Sequence, residues 1–156
     1  MTNAPVAPRA ALRVAPRAAL TVAEEHRRLR GLLAQVEGAF GRGSPRAAAG
    51  PDVVAARLDT LRGPLGAHFE EEERGRLFEE IEERAPEQAP ACARLRAEHE
   101  GLIRRLDRLR TAPPEARRGA SWPREVRDFL DDLIGHEERE TELLTRTLDD
   151  SIGAPD

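Results

Sequence analysis

Between Thr21 and Asp150 the chain reads as four long stretches of helical period, each ended by glycine or proline, which restricts it to folds in which helices pack on helices. The first runs from Thr21, an N-cap candidate with Glu24 completing a capping box, to Gly41-Arg42-Gly43-Ser44-Pro45. The second starts near Pro51-Asp52 and reaches about Arg84, ahead of Pro86 and Pro90. The third covers Ala91 to Thr111 and stops at Pro113-Pro114. Ser121 caps the fourth, which carries Pro123 in its first turn and fades near Asp150. Gly63-Pro64 falls inside the second stretch, and because a proline in a helix interior costs about 3 kcal/mol, a kink or restart is expected there.

Composition agrees with an all-α fold. The chain has 156 residues, the size of one domain, and its apolar share rests on Ala, Leu and Val with aromatics at only 3%. Every basic residue is an arginine and the net charge is −4, so no basic face for nucleic acid is expected. Cys92 is the single cysteine, which rules out an internal disulfide framework and fits a reducing compartment. No apolar run approaches the ~18 residues of a membrane span, and a soluble, cytoplasmic protein is expected. Residues 1–20 repeat APRAAL at Ala7–Leu12 and Ala15–Leu20 among prolines, without the apolar core of a secretory signal. The expected organisation is a flexible arm over 1–20, an antiparallel up-down four-helix bundle over 21–150 and a tail over 151–156.

Helical phase picks out an inward seam on each stretch. Steps of four and three link Val22, His26, Leu29, Leu33, Val36 and Phe40 in the first, and Val54, Leu58, Leu61, Leu65, His68 and Glu72 in the second. The third gives Cys92, Leu95, His99, Leu102, Leu106 and Leu109, the fourth Val126, Phe129, Leu133, His136, Glu140 and Leu143. All four histidines occupy seam positions, one per helix, and Glu72 and Glu140 each follow a histidine by one turn. Carboxylates in an apolar seam cost several kcal/mol each unless a cation compensates them.

Layer arithmetic supports convergence. His26 lies fourteen residues before Phe40 and His68 sixteen after Asp52; His99 is twelve from Thr111 and His136 fifteen from Ser121. At ~1.5 Å per residue each hairpin brings its two imidazoles to similar heights. The link between the second and third helices matches less well, sixteen residues from His68 to Arg84 against nine from Pro90 to His99, which calls for an overhanging end or a long 84–90 turn. Four imidazoles and two carboxylates form a nitrogen and oxygen donor set suited to iron, manganese or zinc, and two carboxylates able to bridge favour a pair of ions.

One histidine on each of four helices, with H-F-E-E-E at His68–Glu72 and H-E-E-R-E at His136–Glu140, resembles the hemerythrin-like family of HHE cation-binding domains over roughly Thr21 to Asp150. The resemblance implies a non-haem centre of two irons, oxo- or hydroxo-bridged, with His26, His68, Glu72, His99, His136 and Glu140 as ligands and Glu72 and Glu140 as bridges. It further implies a small-molecule ligand such as dioxygen, peroxide or nitric oxide, for sensing, binding or iron handling, with a metal- or oxygen-binding protein favoured over an enzyme and the choice left open. Oxygen-carrying members have H-x-x-x-H on the third helix, whereas Ile103 follows His99 by four residues and Leu95 precedes it by four. The fifth histidine is missing, which weighs against stable dioxygen carriage. Glu71, Glu25 and Glu98 are possible substitute oxygens off the seam, and the remaining acids of Glu70–Glu73 and Glu137–Glu140 read as solvated.

Two other readings stand beside this one: a bundle binding one zinc or no metal, acting as an interaction or pH-responsive module, and a peroxide-removing di-iron enzyme. The E-x-x-H pattern of ferritin-like sites is missing, since Ala23, Leu65, Arg96 and Leu133 stand three residues before the histidines. There is no H-E-x-x-H, G-x-S-x-G or phosphate loop. Cys92 reads as a small core residue, Trp122 as packing at the bundle end, and Leu29, Leu65, Phe69, Leu102, Phe129 and Leu133 as candidate walls of a pocket.

Overall fold

The computed structural model describes residues 16–39 and 50–150, with side chains over 24–39 and 50–147. Six α-helices follow in order: α1 Pro16–Ala39, α2 Pro51–Arg74, α3 Leu77–Arg84, α4 Ala89–Arg110, α5 Pro114–Arg117 and α6 Ser121–Asp150, with a 3-10 turn at Pro86–Gln88. No strand occurs among the described residues, and no helix there is long and apolar enough to cross a membrane. The first part of the expected arm, the glycine-rich 41–45 segment, Phe40 and the tail lie outside the described residues. α1 begins at Pro16 rather than at Thr21, with a proline in the first turn, where its missing N–H leaves no helical bond unmade.

The helix ends follow local chemistry. Extended Gly50 precedes Pro51 and Asp52, so α2 starts with its ring-fixed φ and an acid against the positive end of the dipole. α2 then runs through Pro64, so of the kink or restart expected there the restart does not occur. Leu58 and Leu61 on one side of the proline and Leu65 and His68 on the other are all buried on one face, and their packing holds the turn that Pro64 weakens. The chain breaks instead at Gly75-Arg76. A Cβ at Gly75 would lie 2.5 Å from the Glu71 carbonyl oxygen, and Arg76 turns left-handed with φ of 61°. This turn frees α3 to lie against α2, α4 and α6, which absorbs the length mismatch between the second and third long helices.

Around the ring, α1 packs on α2, α2 on α4 and α4 on α6, with α6 returning to α1. The core has two parts. A larger cluster contains Leu29, Leu33, Leu58, Leu61, Leu65, Phe69, Leu102, Leu106, Phe129 and Leu133; a smaller one contains Phe78, Ile81, Cys92, Leu95 and Leu143. Along α2 the larger cluster is followed by His68 and Glu72, along α4 the smaller by His99, and along α6 the larger by His136 and Glu140 before Leu143. The polar seam residues thus form a layer between two apolar ones. Trp122 is buried at the far end, its indole N–H donating to the Leu109 carbonyl at 3.1 Å.

Because α2 is continuous, Pro64 is a net local cost. Pro64→Ala restores a donor toward the carbonyl of Thr60 and should stabilise the protein by up to about 3 kcal/mol, read as a raised Tm. A lowered Tm would mean that a bend at Pro64 is required by the packing.

Candidate metal centre

The layer is assembled by one imidazole from each long helix. His26 on α1 and His68 on α2 meet edge to face with ring centres 5.0 Å apart; His99 on α4 and His136 on α6 do the same, also at 5.0 Å. These are the two pairs that the hairpin arithmetic brings to one height. All four rings are buried, as are Glu72 and Glu140. Phe69 lies parallel to the His99 ring, centres 4.0 Å apart, and edge-on to His136 at 5.3 Å, so an aromatic wall keeps water off this side.

A third carboxylate enters that sequence phase did not select. Glu137 is only 3% exposed, with its oxygens 3.6 Å from His26 Nε2 and 3.5 Å from His68 Nε2. The reading of Glu137 as solvated is therefore corrected. The alternating steps trace a narrow stripe, whereas the buried face of α6 also includes Leu130, one heptad before Glu137 on the same flank. That leucine was the available signal. Glu71 is exposed and takes no part. Glu25 and Glu98, the other substitutes considered, face ring nitrogens on the far side: Glu25 stands 3.7 Å from His68 Nδ1, and Glu98 accepts from His136 Nδ1 at 2.8 Å.

Donor atoms able to hold an ion gather in two groups, His26, His68, Glu137 and Glu140 in one and Glu72, His99 and His136 in the other. Glu72 reaches toward both. One of its oxygens is 2.7 Å from His68 Nε2 and 3.9 Å from His26 Nε2, while the other is 3.3 Å from His99 Nε2. The Nε2 atoms of all four histidines and both oxygens of Glu72, Glu137 and Glu140 are shut off from solvent, yet none makes a hydrogen bond of acceptable geometry. Orphaned polar atoms at this density are rare in a stable interior, because each carries its desolvation penalty uncompensated. A bound cation would relieve all of them, so these residues fit a metal. Cys92 packs among Phe78, Ile81 and Leu143 in the smaller apolar cluster, away from the set.

Without metal, protons carry the compensation. Burial disfavours an imidazolium at His26, but Glu140 and Glu72 outweigh it and push its pKa up to about 9. Burial likewise opposes charge on His68, and Glu137 and Glu72 overcome it, raising the group to about 10. Glu140 is pushed up to about 8, chiefly by burial, with Glu72 adding to it against the pull of His26. Glu72 lies well below the usual carboxylate range, because His26 and His68 outweigh the burial that would raise it. His136 is lowered, by burial first.

The sign of the pH dependence follows. Glu140, with an ordinary pKa of 4.5, and the two raised histidines, ordinarily 6.5, all hold protons in the folded protein at pH values where the unfolded chain has released them. Stability then falls as pH rises: the Glu140 part between 4.5 and about 8, the histidine part from 6.5 through about 9 to 10. His136 acts oppositely, costing stability below 6.5. Calorimetry of metal-stripped protein should show Tm declining from near pH 7 to about pH 10. A flat or rising Tm over that window would contradict the inward placement of these acids.

Comparison with known proteins returns a family model, the hemerythrin HHE cation binding domain, over residues 19–148. No significant match is found among curated proteins or among solved structures. The matched span contains every residue of both donor groups and most of the chain, and the chain belongs to the hemerythrin HHE cation-binding family.

Proposed function

We propose that this chain is a non-haem di-iron protein that interacts with a small oxidant or gas, dioxygen, peroxide or nitric oxide, for sensing, binding or iron handling. The observation that carries the reading is the set of buried, unpartnered nitrogen and oxygen atoms of His26, His68, Glu72, His99, His136, Glu137 and Glu140. The order of larger apolar cluster and polar layer along α2 is reversed along α4, where the smaller cluster comes first, and restored along α6. It supports an antiparallel up-down bundle of α1, α2, α4 and α6 with the centre at mid-height.

His26, His68, Glu137 and Glu140 would hold one ion, and His99 and His136 the other, with Glu72 offering one oxygen to each. The donor set contains no thiolate, which favours iron or manganese over structural zinc. Bound iron supplies reversible electron transfer and open positions for a small ligand. The residues do the rest. Ile103, in place of a fifth histidine, leaves the His99 and His136 group with fewer donors, so an ion held there would keep more room for a small ligand. Glu137 adds a third inward carboxylate, and the extra negative charge favours the more oxidised metal pair over reversible dioxygen carriage. The net charge is −4 and no helix among the described residues is long and apolar enough to cross a membrane; the reading is of a cytoplasmic protein that takes neither nucleic acid nor membrane as partner.

Purified protein should contain about two irons per chain and show near-ultraviolet charge-transfer bands. With no tyrosine and one tryptophan, the chain leaves that region open. Glu72→Ala, which removes the carboxylate common to both groups, should abolish the bands and reduce metal content by at least one equivalent. One zinc per chain with no such bands would favour the mononuclear reading, and bands unchanged in Glu72→Ala would refute the assignment.

A further inference from the structure

His99 and His136 are held from behind by carboxylates, and His68 is not. His99 Nδ1 lies 3.0 Å from Glu73 Oε1, and His136 Nδ1 lies 2.8 Å from Glu98 Oε2. A carboxylate only accepts, so both Nδ1 atoms carry the hydrogen, and in the neutral ring the Nε2 on the layer side is then the atom that keeps its lone pair. In the other group His68 Nδ1 makes no hydrogen bond, its nearest acid Glu25 standing 3.7 Å away. The braced pair is thus the pair with fewer donors. Each brace crosses between helices, from α2 to α4 through Glu73 and from α4 to α6 through Glu98. Glu98 is itself fixed by Arg139, which donates to the same oxygen at 2.6 Å.

We infer that Glu73 and Glu98 are positioning residues: they lock His99 and His136 as Nδ1–H tautomers and make their Nε2 atoms stronger donors, which lets the donor-poor group retain its ion. The inference rests on the two-metal reading above. An anionic acceptor behind an imidazole raises its basicity toward a metal, and removing such a partner weakens metal affinity by roughly 10- to 100-fold. Because Glu73 and Glu98 both contact rings of one group, the effect is selective. Loss of either acid weakens the ion held by His99 and His136 and spares the one held by His26 and His68.

The test has two arms. In the metal-free protein, long-range nitrogen–proton correlation spectra of the four histidines report tautomers directly. His99 and His136 should be Nδ1–H in the wild type and in Glu98→Gln, whose amide oxygen still accepts, while Glu98→Leu should release His136 from that tautomer. In the second arm, ferrous iron is titrated against a competing chelator. Glu73→Gln and Glu98→Gln should weaken one of two binding steps by about 10- to 100-fold and leave the other unchanged, with exposed Glu71→Gln matching wild type. Nε2–H tautomers in the wild type, or an equal loss or no loss at the two steps, would overturn the inference alone. A wild type that binds no second ion would overturn it together with the two-metal reading.

Discussion

Three carboxylates and four imidazoles share one solvent-inaccessible layer, and the fold is organised around making that tolerable. An ion taken from water into a dry interior costs several kcal/mol even after relaxation, and clustered like charges add to it. Apolar clusters seal the layer above and below, so water cannot enter to compensate. Only cations or protons can. Because α1, α2, α4 and α6 each contribute an imidazole, sliding any helix by a turn would strand a charged group in the apolar clusters. The layer therefore sets the register of all four helices, which uniform leucine packing would leave open.

Within that layer Glu72 is the pivot. Its neighbours lie on both sides: His68 and His26 toward one oxygen, His99 toward the other. Glu140 and Glu137 face only His26 and His68 among the imidazoles. The donor surplus and deficit consequently fall on opposite sides of one residue. The two donor groups are thus unequal in their protein atoms alone, four residues in one and three in the other.

Much of this was legible in the sequence, and the failures have physical causes. The seam positions with described side chains are buried, because steps of three and four place side chains on one face wherever a helix persists. The helix boundaries were read less well where tertiary packing competes with local preference. A kink or restart was expected at Pro64, and the buried face shared by Leu61, Leu65 and His68 carries the helix past it without a restart. The real interruption, at Gly75-Arg76, carries no proline and is set by a close approach to the Glu71 carbonyl. Glu137 escaped because a two-position seam underestimates the width of the buried face on a helix with neighbours on two sides. The roles of Glu73 and Glu98 were beyond the sequence, since each acts on a helix other than its own.

That last point explains why acids beside the seam are concentrated here. Adjacent residues on a helix point about 100° apart. When one of them faces the layer, the next is turned toward a neighbouring helix. Glu72 and Glu73 divide the work in this way on α2, and Glu98 and His99 on α4: the inward member joins the layer, and the outward one accepts from an imidazole across the interface. Paired polar residues thus code for two functions with one backbone position and its neighbour. A substitution at the outward acid leaves the inward donor in place but disturbs a histidine on the next helix. Runs of glutamate that look like ordinary solvated surface can therefore carry part of the centre's binding strength.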